Sequence, residues 1–217
     1  RTNRALMEAG VCLIDPAHTY IDADVTVGAG TVIYPNCTLT GGTVIGEGCT
    51  LLPNCRINAS RVGADTRVES SVLLSCEVGA NATVGPFAYI RPQTRVGDGC
   101  RVGDFVELKN ATIGEGTKIS HLTYVGDSDL GRDINLGCGV VFVNYDGKEK
   151  HRTTVDDKAF IGCNVNLVSP VHVGREAYIA AGSTVTEDVP GGALAIARQR
   201  QTVRPGWVDK RKEEGKL

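Results

Sequence analysis

Val78-Gly79-Ala80-Asn81-Ala82-Thr83-Val84-Gly85-Pro86-Phe87-Ala88-Tyr89-Ile90 sets the reading of the whole chain. Its aliphatic residues stand six apart, a spacing that fits neither an amphipathic helix at 3.6 nor an extended strand at two. Short strands joined by tight corners fit it, three to a turn, so that about 18 residues close one triangular coil of a hexapeptide β-helix. Backwards the register continues through Val72, across a slip to Val68 and Val62, and across a one-residue slip to Ile57, Leu51, Ile45, Leu39, Ile33, Val27 and Ile21. Forwards it runs through Val96, Val102, Leu108, Ile113, Ile119, Val125, Leu130, Leu136 and Phe142. After a gap it resumes at Val155, Ile161, Leu167, Val173, Ile179 and Val185. The aliphatic residue points inward, and the glycine that often follows it is expected to turn the corner. Roughly ten coils about 4.8 Å apart would make a rod on the order of 50 Å long.

Composition agrees with stacked coils. Hydrophobic residues make up 41% of the 217-residue chain but aromatics only 5%, and a solenoid needs few rings because each coil buries its neighbour's face. The net charge of -2 argues against a general nucleic-acid surface. No apolar run is long enough for a membrane span. Arg1 to Ala9 reads as a short helix stopped at Gly10, without the apolar region of a signal peptide or an initiator Met. The chain is therefore expected to be part of something longer. Residues 11–197 form the β-helix domain, with an insertion at 143–154 that breaks the repeat. Residues 198–217 form a polar, extended C-terminal tail with a lone Trp207, of the kind that docks on a partner or another subunit.

Of the eight cysteines, Cys37, Cys49, Cys55, Cys76 and Cys100 fall four positions after an aliphatic, at a second inward site that takes a small side chain. Cys138 and Cys163 fall two positions after one, on the outward part of the coil. No CxxC occurs, which argues against a zinc ribbon.

Ile119-Ser120-His121-Leu122-Thr123-Tyr124-Val125-Gly126-Asp127 puts a histidine and a tyrosine on the inside of a repeat that otherwise carries aliphatic and small residues. Glu107 and Lys109 lie about one coil back; Asn135 and Cys138 lie about one coil forward. Glu107, His121 and Asn135 are expected to converge on one strip, where a carboxylate can fix the tautomer of a histidine base. A polar ladder capping a coil edge is the competing account. His18, His151 and His172 read as surface residues.

The repeat resembles that of the left-handed parallel β-helix acyltransferases, an all-β class. Four stretches are more specific: Pro86-Phe87-Ala88-Tyr89-Ile90-Arg91-Pro92, Asp104-Phe105-Val106-Glu107-Leu108-Lys109, Ser120 to Asp127, and Asn144-Tyr145-Asp146-Gly147. In order and spacing they resemble the C-terminal half of the bacterial bifunctional N-acetylglucosamine-1-phosphate uridyltransferase / glucosamine-1-phosphate N-acetyltransferase family. That resemblance implies acetyl transfer from acetyl-CoA to glucosamine 1-phosphate in UDP-N-acetylglucosamine biosynthesis, with residues 1–10 as the linker helix from the uridyltransferase domain. It implies His121 as general base with Glu107 orienting it, and Arg91, Lys109, Tyr124, Asn135 and Lys150 on the sugar phosphate. Cys138, Asn144, Tyr145, Cys163, Ala181 and Arg198 are implied along acetyl-CoA. Cys138 stands where many relatives carry Ala, and Cys163 where many carry Ser. A rod this narrow offers no pocket of its own, so a cytoplasmic homotrimer with sites between subunits is expected, the Asn144–Thr154 loop and the Arg198–Trp207 tail reaching neighbouring subunits, with no metal, nucleic acid or membrane involved.

The chemistry is coherent by itself. An amine must lose a proton to attack a thioester, Arg91, Lys109 and Lys150 can hold a phosphate, and backbone N–H groups at a corner can take the oxyanion. A hexapeptide-repeat carbonic anhydrase would need three clustered zinc histidines, and the four here are scattered. A non-catalytic scaffold would need neither the polar cluster nor the inserted loop.

Overall fold

A computed structural model describes residues 1–217. The chain winds into a left-handed parallel β-helix of about ten turns. One face is an 11-stranded parallel sheet running from Cys12–Leu13 to Leu194–Ala195. The other two faces join into a single 17-stranded sheet. They join because Glu107–Ile113 and Tyr124–Leu130 bend around the corner between them. Glu107 pairs with Tyr89 on one face, and Thr112 pairs with Arg95 on the next.

The aliphatic series points inward as the spacing requires, and its members belong to one continuous core of 46 buried residues. Two positions differ. Leu73, not Val72, is the fully buried residue of its strand, so the coil slip falls one residue later than the spacing alone suggests. Ile21, in the first full coil, is only half-buried because little stacks beyond it.

Corners and glycines divide the work differently from the expectation. The left-handed residue lies three positions after the aliphatic in most coils, as at Asn36 (φ 63°), Asn54 (φ 66°) and Asn81 (φ 55°), and Asn tolerates that region better than most residues. The glycine directly after the aliphatic instead makes room for the next coil. A Cβ on Gly28, Gly46 or Gly63 would lie 2.5 Å from the backbone nitrogen of the residue stacked on it. These glycines are a packing requirement.

The second inward site explains five cysteines. At that site Thr31, Thr66 and Thr117 donate their hydroxyls to backbone carbonyls at 2.8–2.9 Å. Cys49 and Cys100 donate their thiols to equivalent carbonyls at 3.1 Å. Burial pushes the Cys76 thiol up to about 11, so it stays protonated. These thiols are small buried donors.

The two ends differ. Helix α1 (Thr2–Glu8) lays Leu6 against the core, and the Asn3 side chain donates to the carbonyls of Pro16 and Thr19. The far end is not extended throughout: after Ala197 the tail ends in helix α2 (Trp207–Glu213), which has no buried residue. Arg211 stacks over the Trp207 ring at 5.3 Å. The insertion is a compact hairpin, closed by the Tyr145–Lys150 bridge and strapped down by Arg152, which pairs with Asp129 and donates to the carbonyls of Asn110 and Ser128.

Candidate active site

Around His121 the coils are one residue short, and equivalent corners recur at 17 residues, not 18. Asp104 stacks on His121, Glu107 on Tyr124, and Asn110 on Asp127. A second 17-residue step brings Cys138 beneath His121 and Asn144 beneath Asp127. Three parallel columns three residues apart therefore cross the same three coils.

The first column holds the base candidate. His121 Nδ1 lies 2.7 Å from Asp104 Oδ1. The contact holds the Asp104 carboxyl below its usual range, so the carboxylate accepts and Nδ1 carries the proton. The other ring nitrogen, Nε2, is left as an acceptor. This corrects two expectations. His121 points outward, 61% exposed, because it is the last residue of the strand Lys118–His121, at the corner made by left-handed Leu122. Its carboxylate partner is Asp104, not Glu107, which lies 14 positions away in sequence and so falls on a different column. Glu107 instead accepts from Arg91 at 2.8 Å. Asn135 stacks between Lys118 and Phe160, away from His121.

An aspartate partner alone does not single out His121, because His18, His151 and His172 each have one at 2.6–2.9 Å. The surroundings do. Across the corner, Phe87, Phe105 and Leu122 all hold left-handed backbone at φ 61°, 55° and 43°, a conformation costly for bulky side chains. The Phe87 and Phe105 rings stack at 5.5 Å, which offsets part of that cost. Beyond them lies a polar cluster on the same coils.

That cluster is centred on Asp127, which is 7% exposed. Burial would raise its carboxyl pKa, but hydrogen bonds from Asn110 and Asn144 and the charges of Lys109 and Lys150 bring it below the usual range. Lys109 Nζ lies 3.6 Å from Asp127 Oδ2. Lys150, carried by the hairpin, comes against Lys109, and this like-charge contact lowers the Lys150 pKa. The Tyr124 hydroxyl accepts from Asn144 at 3.5 Å, and the tyrosine lies over Gly126, where a Cβ would run into its hydroxyl. Lys109, Lys150 and Arg91 against Asp127 and Glu107 leave one positive charge uncompensated beside a phenol, which suits an anion.

The structure separates the residues implied for acetyl-CoA into two groups. Cys138, Cys163 and Ala181 continue the Asp104–His121 column on successive coils, and the Arg198 side chain reaches 3.6 Å from an added Cβ at Gly182. Asn144 belongs instead to the Asp127 cluster, and Tyr145 bonds the Gly147 carbonyl within the hairpin. Asp104, Asn110 and Asp127 were not singled out from sequence. Their signal is the 17-residue interval, visible once the coil is known to be short.

The fold and its repeats define the class: residues 24–59 and 75–110 match the bacterial transferase hexapeptide (six repeats). The chain belongs to the family of the bifunctional protein GlmU. It is 57% identical over 211 residues to that protein of Clostridium acetobutylicum, 56% to that of Clostridium beijerinckii, and 54% to that of Clostridium botulinum strain Kyoto. Each match covers 97% of this chain and 46% of the relative, so the chain spans about half the length of these proteins.

Proposed function

We propose that this chain transfers the acetyl group of acetyl-CoA to the amine of glucosamine 1-phosphate, within UDP-N-acetylglucosamine synthesis in the cytoplasm. The observation that carries the proposal is the juxtaposition on the same coils of His121, with Nδ1 held by Asp104, and the Lys109–Lys150 pair. The lysines, with Arg91 and Tyr124, hold the sugar phosphate. His121 Nε2 takes a proton from the sugar amine as nitrogen attacks the thioester carbonyl. The N–H of Cys138, which has no acceptor within the chain, donates to the oxyanion. Collapse expels the CoA thiolate and leaves the amide. Cys138, Cys163, Ala181 and Arg198 line the path of the pantetheine, with Asn144 and Tyr145 contributing from the hairpin side.

One rod offers only an open surface at these columns, so we assign the working state to a homotrimer with the site closed between parallel rods. The exposed strip of Phe87, Phe105 and Leu122 beside the site supports that assembly. Release of CoA thiol, followed with glucosamine 1-phosphate and with unphosphorylated glucosamine, tests the function. Turnover with the phosphate and a much higher KM without it is expected. No CoA release with either sugar contradicts it.

A further inference from the structure

Among the eight cysteines, five are buried and Cys12 stacks on Val32, with no thiol beside it. Cys37 and Cys55 also stack on consecutive coils, but both are sealed in the core; Cys138 and Cys163 occupy consecutive rungs of one corner and are exposed. Their strands are in register, Asn135 with Phe160 and Leu136 with Ile161, and the Asn164 N–H donates to the Cys138 carbonyl at 2.8 Å. Each is followed by a left-handed residue, Gly139 (φ 75°) and Asn164 (φ 53°), so the two corners have the same shape and the two Cβ atoms point the same way. Rungs of a sheet lie about 4.8 Å apart, inside the Cα separation of roughly 4.4–6.8 Å that a disulfide spans. Adjacent Cβ atoms need to close by about 1 Å to reach the usual Cβ separation of roughly 3.8 Å.

We propose that Cys138 and Cys163 form a thiol modification site, in which a two-electron oxidant joins the two sulfurs into a disulfide across consecutive coils and stops acetyl transfer. With a diazene oxidant such as diamide the step balances. One thiolate adds to the N=N bond, the second displaces nitrogen from that sulfur, and the oxidant leaves as the hydrazine carrying both hydrogens. The consequence for activity rests on the functional reading above, because these thiols continue the His121 column along the assigned path of acetyl-CoA. Joined sulfurs pull both side chains over that path and shift the Cys138 backbone from the oxyanion position. The joining itself depends only on the fold.

The test treats the folded chain with diamide, removes excess reagent, and measures thiols, peptide masses and CoA release before and after dithiothreitol. Two of the eight thiols should disappear. The peptides bearing Cys138 and Cys163 should appear joined and lighter by two hydrogens, with no larger species on a non-reducing gel. CoA release should fall at least tenfold and return with dithiothreitol. Cys163→Ala, compared with its own untreated rate, should resist the loss. Untouched thiols, or a link between two chains, overturn the modification site whatever the activity does. A clean internal link with an unchanged rate overturns the inhibitory consequence. Absence of CoA release before treatment fails the functional reading alone, since the mass readout still decides whether the link forms.

Discussion

Asp104 and Glu107 lie three residues apart and face different partners, so removing them should have different effects. Asp104→Ala frees the His121 ring to change tautomer and orientation, and kcat should fall while KM for the sugar changes little. The drop should be smaller than the ~10²–10⁴-fold expected for losing the base itself. Glu107→Ala releases Arg91 and should act mainly on KM. Steady-state kinetics on the two variants, checked for intact secondary structure, separates the assignments. Lys150 gives a prediction in pH. Its pKa is lowered by Lys109, so it loses its proton below the ordinary lysine value. A bound phosphate favours the charged form, so binding is full near neutrality and weakens as pH rises through that lowered value. KM for the sugar phosphate should climb on the alkaline side, and Lys150→Ala should be weaker throughout and lose that inflection.

At the scale of the strand and corner, the spacing of six carried most of the fold. The inward residues and the five structural cysteines were legible because burial acts on every coil alike. Two things were not. A glycine after an aliphatic looks the same whether it supplies an unusual dihedral or leaves space, and only the position of the stacked coil shows that it leaves space. The lateral alignment of His121 with Asp104 depends on whether a coil has 17 or 18 residues, and a one-residue slip moves a side chain to another column. An 18-residue coil would set Gly103 beside His121, and Glu107, only 14 residues back, fits neither interval. Gly79→Ala should accordingly destabilise the rod by about 1–3 kcal/mol in urea unfolding, as overpacking does, because its Cβ would lie 2.7 Å from the Asp98 backbone nitrogen. Gly126→Ala should do something different. It pushes the Tyr124 hydroxyl aside, so it should raise the sugar KM more than it lowers stability.

For the whole molecule, the columns lie on the outside of a narrow rod, and closing a site there calls for neighbouring rods. Phe105→Asp places a charge in the exposed apolar strip of the proposed trimer. It should give monomers by light scattering, with most CoA release lost and the coils still folded. A monomer working at full rate would mean that one rod builds the site by itself. The columns converge on a single claim, that His121 takes the proton from the attacking amine. Its most direct test is kcat for acetyl transfer by His121→Ala, measured together with the melting temperature. The predicted result is a fall in kcat of about 10²-fold or more with the melting temperature little changed, since the side chain lies outside the core. Near-normal kcat, or a lost melting temperature with activity recovered on cooling, would contradict it and leave His121 as the edge of a polar ladder.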